Sequence, residues 1–124
     1  GGACIPAFYT PSSVGTELAE GKPSEEFEGK IYIRENWLKA DVSLIKAELG
    51  DLLGNLTYRM AARNFSPLMA MAGQKTFVQV TKAVSAGEIN PEHVTTPGIF
   101  VDGIVEVSAP QQEEALNRVK AAYP

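Results

Sequence analysis

Little in this chain can hold a metal or form a disulfide. Cys4 is the only cysteine and His93 the only histidine among 124 residues. One cysteine excludes an internal disulfide and fits a reducing cytoplasm, the expected compartment. His93 follows Pro91-Glu92 with no cysteine or acidic cluster at ligand spacing, so no metal site is expected. A Cys4–His93 nucleophilic pair lacks a third, orienting group. Phosphate loops, zinc spacings and the G-x-S-x-G elbow are missing. No apolar run reaches a membrane-spanning length, so no membrane partner is expected. Positive charge is neither abundant nor clustered. The 11 Lys and Arg against 15 Asp and Glu give a net charge of −4, which argues against a nucleic-acid partner. Glu25-Glu26 and Glu113-Glu114 read as solvated faces. Asn55-Leu56-Thr57 and Asn64-Phe65-Ser66 fit the glycosylation pattern but are chance matches in a cytoplasmic protein.

What is present is an ordinary globular composition, 44% apolar, in a chain long enough for one domain with a core. Its most distinctive stretch is the opening one, Gly1-Gly2-Ala3-Cys4-Ile5-Pro6-Ala7-Phe8-Tyr9-Thr10-Pro11, with Gly15-Thr16 behind it. Two prolines push their preceding residues out of the α region. With no helical or strand period, the stretch reads as a rigid apolar loop of the kind that surrounds a ligand. A Pro-rich buried loop or entry strand is the alternative.

Further along, residues 24–27 and 30–34 read as strands joined at Glu28-Gly29, a hairpin-turn pair. Residues 40–47 read as a strand, 51–55 as a turn and 56–59 as a short strand. Residues 65–73 read as a helix, with Pro67 in its first turn, Asn64 or Ser66 as N-cap and Gly73 as terminator. A helix start also suits a carboxylate, because its free N–H groups and partial positive charge face outward. Residues 76–80 read as a strand, 87–97 as a loop and 99–107 as two short strands or one bent one. Residues 111–122 read as an amphipathic helix with Ala115, Leu116, Val119 and Ala122 on one side. Strands alternating with helices predict an α/β fold, a layered sheet with flanking helices.

The opening stretch closely resembles the Gly-Gly-Ala-Gly-Ile-Pro-Ala-Phe-Tyr-Thr-Pro run of the A-type subunit of the 3-oxoacid CoA-transferases. Three further blocks match in the same order: Ala19-Glu20-Gly21-Lys22; Leu53-Gly54-Asn55-Leu56-Thr57-Tyr58-Arg59 with Ala62-Arg63-Asn64-Phe65; and Pro91-Glu92-His93-Val94 with Thr96-Pro97-Gly98-Ile99-Phe100-Val101. The resemblance runs to about Val105. It implies an enzyme that moves CoA between carboxylic acids such as succinate, acetoacetate and 3-oxoadipate. Two family motifs are absent here. One is the Gly-Gly-Phe-Gly strand-turn of the N-terminal half; the other is the Ser-Glu-Asn-Gly motif carrying the catalytic glutamate on a B-type subunit. Arg34-Glu35-Asn36-Trp37 keeps only a Glu-Asn pair and reads as a solvated strand end.

The resemblance therefore implies that residues 1–124 are the C-terminal half of an A-type domain, produced by proteolysis or by design. This chain then holds no catalytic residue. Its implied role is a wall around acyl-CoA and carboxylate substrates, made by Pro6, Phe8, Tyr9, Thr10, Gly15, Asn64 and Phe65. The implied partner is the B-type subunit, in an oligomer, with CoA thioester as substrate and no cofactor. Cys4 stands where the family usually has glycine and is expected to be buried and inert. Ser66 replaces a family asparagine, and Ser12-Ser13 replace Thr-Gly, which puts the shape of that turn in doubt. A noncatalytic α/β assembly or ligand-binding domain is the alternative role, and a Cys4-based hydrolase a third. The acid pair stays open.

Overall fold

The computed structural model describes residues 4–109. The chain folds into two sheets. In the first, β2 (Ser24–Phe27) and β3 (Lys30–Asn36) form an antiparallel hairpin. Glu28 and Gly29 turn it with φ of 52° and 77°, both left-handed, as a two-residue primed turn requires. The third strand, β1 (Ala7–Thr10), pairs antiparallel with the other side of β3, from Ala7 opposite Asn36 to Thr10 opposite Ile33. This corrects the reading of the opening stretch as an irregular loop. Pro6 and Pro11, which cannot donate to a ladder, sit just outside the two ends of β1 and bound it.

The second sheet has the order β5-β4-β6-β7. Its centre is β4 (Ala40–Asp51) parallel to β6 (Gly73–Val84), with β7 (Gly103–Glu106) parallel on one edge and β5 (Leu56–Thr57) antiparallel on the other. One α-helix among the described residues, α1 (Ala62–Ala72), makes the crossover between β4 and β6. Both long strands outrun their predicted 40–47 and 76–80. The 56–59 strand is shorter than expected, and of 99–107 only β7 is strand, after a 3₁₀ turn at Gly98–Phe100. A second 3₁₀ turn, Pro91–His93, is capped by Asn90 Oδ1, which accepts from the Glu92 N–H.

The helix begins earlier than its sequence suggests. Met60 takes a left-handed φ of 52°, and 3₁₀ bonds from Ala62, Arg63 and Asn64 wind the first turn. Ala61 is the N-cap, without a side-chain cap bond. Neither Asn64 nor Ser66 caps the helix, and Pro67 lies past the first turn, where it removes the donor for the Arg63 carbonyl. At the far end Gly73 leads directly into β6. A Cβ there would meet Ser43 Oγ at 2.6 Å, so close packing selects glycine. Ser43 Oγ donates to the Met69 carbonyl at 2.7 Å and Thr76 Oγ1 to the Ala70 carbonyl at 2.9 Å. The Met69 carbonyl also accepts the Gly73 N–H, and Thr76 satisfies the Ala70 carbonyl at the helix end.

The core lies between α1 and one face of the second sheet. Ile45 and Ala47 of β4, Val78 and Val80 of β6, Leu56, Tyr58 and Ala70 form it, with Phe100, Val101 and Ile104 packed against them. The architecture is the expected α/β class. The expected 111–122 helix lies outside the described residues.

Candidate functional site

In a strand, neighbouring side chains point to opposite faces. Phe8 stands opposite Glu35 and Tyr9 opposite Arg34, so the two aromatics of β1 face opposite sides of the first sheet. On one face, Tyr9 meets Phe27 edge-on at 5.3 Å and Phe27 meets Tyr32 at 5.6 Å. The Tyr9 hydroxyl donates to Glu25 Oε1 at 2.6 Å, and that bond to a carboxylate raises the phenol's pKa above its ordinary value. Phe8, on the other face, is exposed. Glu35 on that face takes Lys22 Nζ at 2.7 and 3.0 Å.

The turn after β1 is self-bonded. Thr10 Oγ1 lies 2.9 Å from Ser12 Oγ and accepts the Ser12 N–H at 3.2 Å. Ser13 is buried and its hydroxyl donates to Glu35 at 3.4 Å, so the serine standing in the glycine position is absorbed by a contact. Gly15 has a φ of 78° with open space around it, so conformation rather than crowding selects glycine there. The Pro6 carbonyl accepts the Trp37 N–H at 2.9 Å. Cys4 is exposed, not buried, and its φ of 54° is one that glycine adopts without strain. It lies three residues before Ala7, the first residue of β1, which is an edge strand of the first sheet.

Asn64 and Phe65 lie elsewhere, on exposed positions of α1 over the second sheet. The seven sequence-derived residues therefore fall into two groups on separate layers. Beside Asn64, however, Arg63 lines a cleft of about 530 Å³ shared with Glu48, Tyr58, Glu88 and His93. Sequence reading missed this cleft. Its members come from β4, the end of β5, the helix start and the loop after β6, and no local spacing joins them. The Tyr58 hydroxyl is bonded to Thr96 Oγ1 at 2.7 Å, and burial raises its pKa. Among the described residues no group of three His, Cys, Asp or Glu side chains is arranged for a metal.

Two of the blocks that resemble the family are joined to each other by hydrogen bonds and close packing. Buried Asp51 accepts the Leu53 N–H at 3.0 Å, the Asn55 N–H at 2.8 Å and Asn55 Nδ2 at 2.9 Å. Asn55 Oδ1 in turn accepts the Gly98 N–H at 3.0 Å. A Cβ on Gly98 would lie 1.9 Å from the Leu53 carbonyl oxygen, so this crossing requires glycine.

The chain superposes on an acyl-CoA transferase from Escherichia coli O157:H7 with a TM-score of 0.75 at 23% identity, over 90% of this chain and 25% of that one. It also matches glutaconate coenzyme A-transferase from Acidaminococcus fermentans with a TM-score of 0.73 at 17% identity, over 85% of this chain and 40% of that one. These two likenesses concern the fold. In sequence it is 54% identical to the A-type subunit of 3-oxoadipate CoA-transferase from Pseudomonas putida, over 86% of this chain and 46% of that protein. It is 45% identical to the A-type subunit of the probable succinyl-CoA:3-ketoacid coenzyme A transferase from Bacillus subtilis, over 95% of this chain and 49% of that protein. The Coenzyme A transferase family model matches residues 1–107, and the chain belongs to that family. It spans about half the length of the curated relatives it matches. No helix among the described residues is long and apolar enough to cross a membrane.

Proposed function

We propose that this chain works as part of a cytoplasmic CoA-transferase, on the A-type side of a site completed by a B-type partner. The enzyme moves CoA from a dicarboxylic or short-chain acyl-CoA to a 3-oxoacid. The observation that carries this reading is the family match over residues 1–107, with relatives named as A-type subunits at 54% and 45% identity. The covalent chemistry belongs to a glutamate of the partner. Its carboxylate attacks the thioester carbonyl, giving an acyl-glutamyl anhydride and CoA thiolate. The thiolate then attacks the glutamyl carbonyl, releasing the first acid and leaving a glutamyl-CoA thioester. The incoming carboxylate reverses both steps, so one hard exchange becomes several easier ones. No resident cofactor is needed.

This chain's share is wall and recognition. Pro6, Phe8, Tyr9, Thr10 and Gly15 are the proposed contacts in the first sheet, and Asn64 and Phe65 those at the start of α1. Because Phe8 and Tyr9 point to opposite faces, one of them meets the acyl group and the other packs against a neighbouring part of the enzyme. Arg63, at the cleft beside Asn64, is the natural cation for a substrate carboxylate. The test is co-expression of a full-length A-type subunit containing this chain with a reading frame that carries Ser-Glu-Asn-Gly. Succinyl-CoA and acetoacetate should give acetoacetyl-CoA with both chains and none with either alone. Failure of the two chains to co-purify, or an inactive pair, refutes the proposal.

A further inference from the structure

Cations that lie apart in the sequence converge on one cleft of the second sheet. Lys46 of β4, Arg59 of the segment between β5 and α1, and Thr81 of β6 line a cleft of about 240 Å³. All three are exposed. Ala47 and Ala62 complete its wall, and their single methyl groups leave room between the polar side chains. Glu48, half-buried, is the carboxylate among the lining residues and also borders the neighbouring cleft of Arg63. Among the described residues, ion pairs join Lys22 to Glu35 and Lys75 to Asp102; Lys46 and Arg59 take part in none. In a chain of net charge −4, two cations therefore face one small cavity with no described carboxylate at ion-pair distance.

We propose that Lys46, Arg59 and Thr81 form a seat for a phosphate dianion, free or as a monoester. Such a group carries about −1.5 to −2 charges at neutral pH and presents three strong acceptor oxygens. The Arg59 guanidinium forks onto two oxygens, the Lys46 ammonium acts as a compact charge, and the Thr81 hydroxyl is a further donor. A planar carboxylate, with two oxygens and one charge, matches the single guanidinium of the Arg63 cleft better. Glu48 opposes an anion here, but two cations against one carboxylate leave the cleft positive. Two sources offer this chemistry. One is the 3′-phosphate of CoA, which rests on the acyl-CoA reading above; the other is inorganic phosphate.

The test titrates the full chain, followed by NMR, with inorganic phosphate, CoA, dephospho-CoA and, at matched ionic strength, chloride. Inorganic phosphate or CoA should give saturable shifts at Lys46, Arg59 and Thr81 that chloride does not. Lys46→Gln and Arg59→Gln should each weaken binding roughly tenfold, the loss of a charge-assisted hydrogen bond. Lys82→Gln removes the same charge from β6 at a different cleft and should leave binding unchanged. Glu48→Gln should tighten it severalfold, a gain that misfolding cannot produce. CoA bound roughly tenfold tighter than dephospho-CoA, again one charge-assisted bond, assigns the seat to the 3′-phosphate. Inorganic phosphate bound, with CoA no tighter than dephospho-CoA, assigns it to free phosphate and leaves the acyl-CoA reading to the co-expression assay. No saturable shift with any phosphate, shifts that chloride reproduces, or equal losses from Lys46→Gln and Lys82→Gln overturn the proposal.

Discussion

Replacing Asp51 should cost this fold more than any surface change. The side chain is 2% exposed and accepts three hydrogen bonds, from the Leu53 N–H, the Asn55 N–H and Asn55 Nδ2. Asp51→Ala removes the acceptor and strands all three donors. Bonds to a charged acceptor contribute about 1.5–3 kcal/mol each, and they share one turn, so the sum is less than three times that. The expected loss is about 3–5 kcal/mol, a large part of the roughly 5–15 kcal/mol that holds a domain folded. With a urea slope of about 1–3 kcal/mol per molar, the unfolding midpoint should fall by about 2 M. Asp51→Asn keeps an oxygen for the backbone donors but sets an amide NH₂ against Asn55 Nδ2. It should lose about 1–2 kcal/mol. The assay is urea unfolding followed by circular dichroism on the parent and both variants. An Asp51→Ala midpoint within about 0.3 M of the parent, under roughly 0.5 kcal/mol by the same slope, refutes the reasoning.

Four other outcomes follow from the geometry. Gly98→Ala should destabilise strongly, because its Cβ would sit 1.9 Å from a backbone oxygen; thermal melting checks it, and an unchanged midpoint contradicts the crossing. The Lys75–Asp102 pair, 2.8 Å apart, lowers the Asp102 pKa, chiefly through the hydrogen bond from Lys75 and then that from the Thr76 N–H. The same bond raises the Lys75 pKa. A lowered carboxylate value adds stability above its unfolded pKa and loses it as pH falls through the folded one. A raised lysine value adds stability that is present below its unfolded pKa and lost at alkaline pH. Stability of Asp102→Asn should therefore differ from the parent at neutral pH and converge with it in acid, read from denaturation curves across that range. Cys4→Gly should keep activity in the assembled enzyme, since glycine adopts the φ of 54° without strain; a ~100-fold drop in turnover, about 2.7 kcal/mol of barrier, would give the thiol a role. Tyr9→Ala should lower turnover there with little change in melting temperature, and normal turnover with a sharply lower melting temperature would make Tyr9 a packing residue.

Local chemistry alone determined several elements of this protein. Glu28-Gly29 specified a hairpin turn, the β-branched run around Thr76–Val80 a strand, and four ordered blocks a family, because each depends on neighbours in the chain. Tertiary structure decided the rest. Phe8 and Tyr9 read as one apolar wall until strand pairing turned them to opposite faces. Asn64 and Ser66 read as caps until the left-handed backbone at Met60 started the helix earlier. Gly98 read only as part of a block that resembles the family, and it is required by a backbone crossing with Leu53, forty-five positions back. The cleft of Glu48, Arg63, Glu88 and His93 has no sequence signature, because its members meet only when β4, α1 and the loop after β6 pack together. Hydrophobic period reports which residues leave water, but not which distant surface they meet.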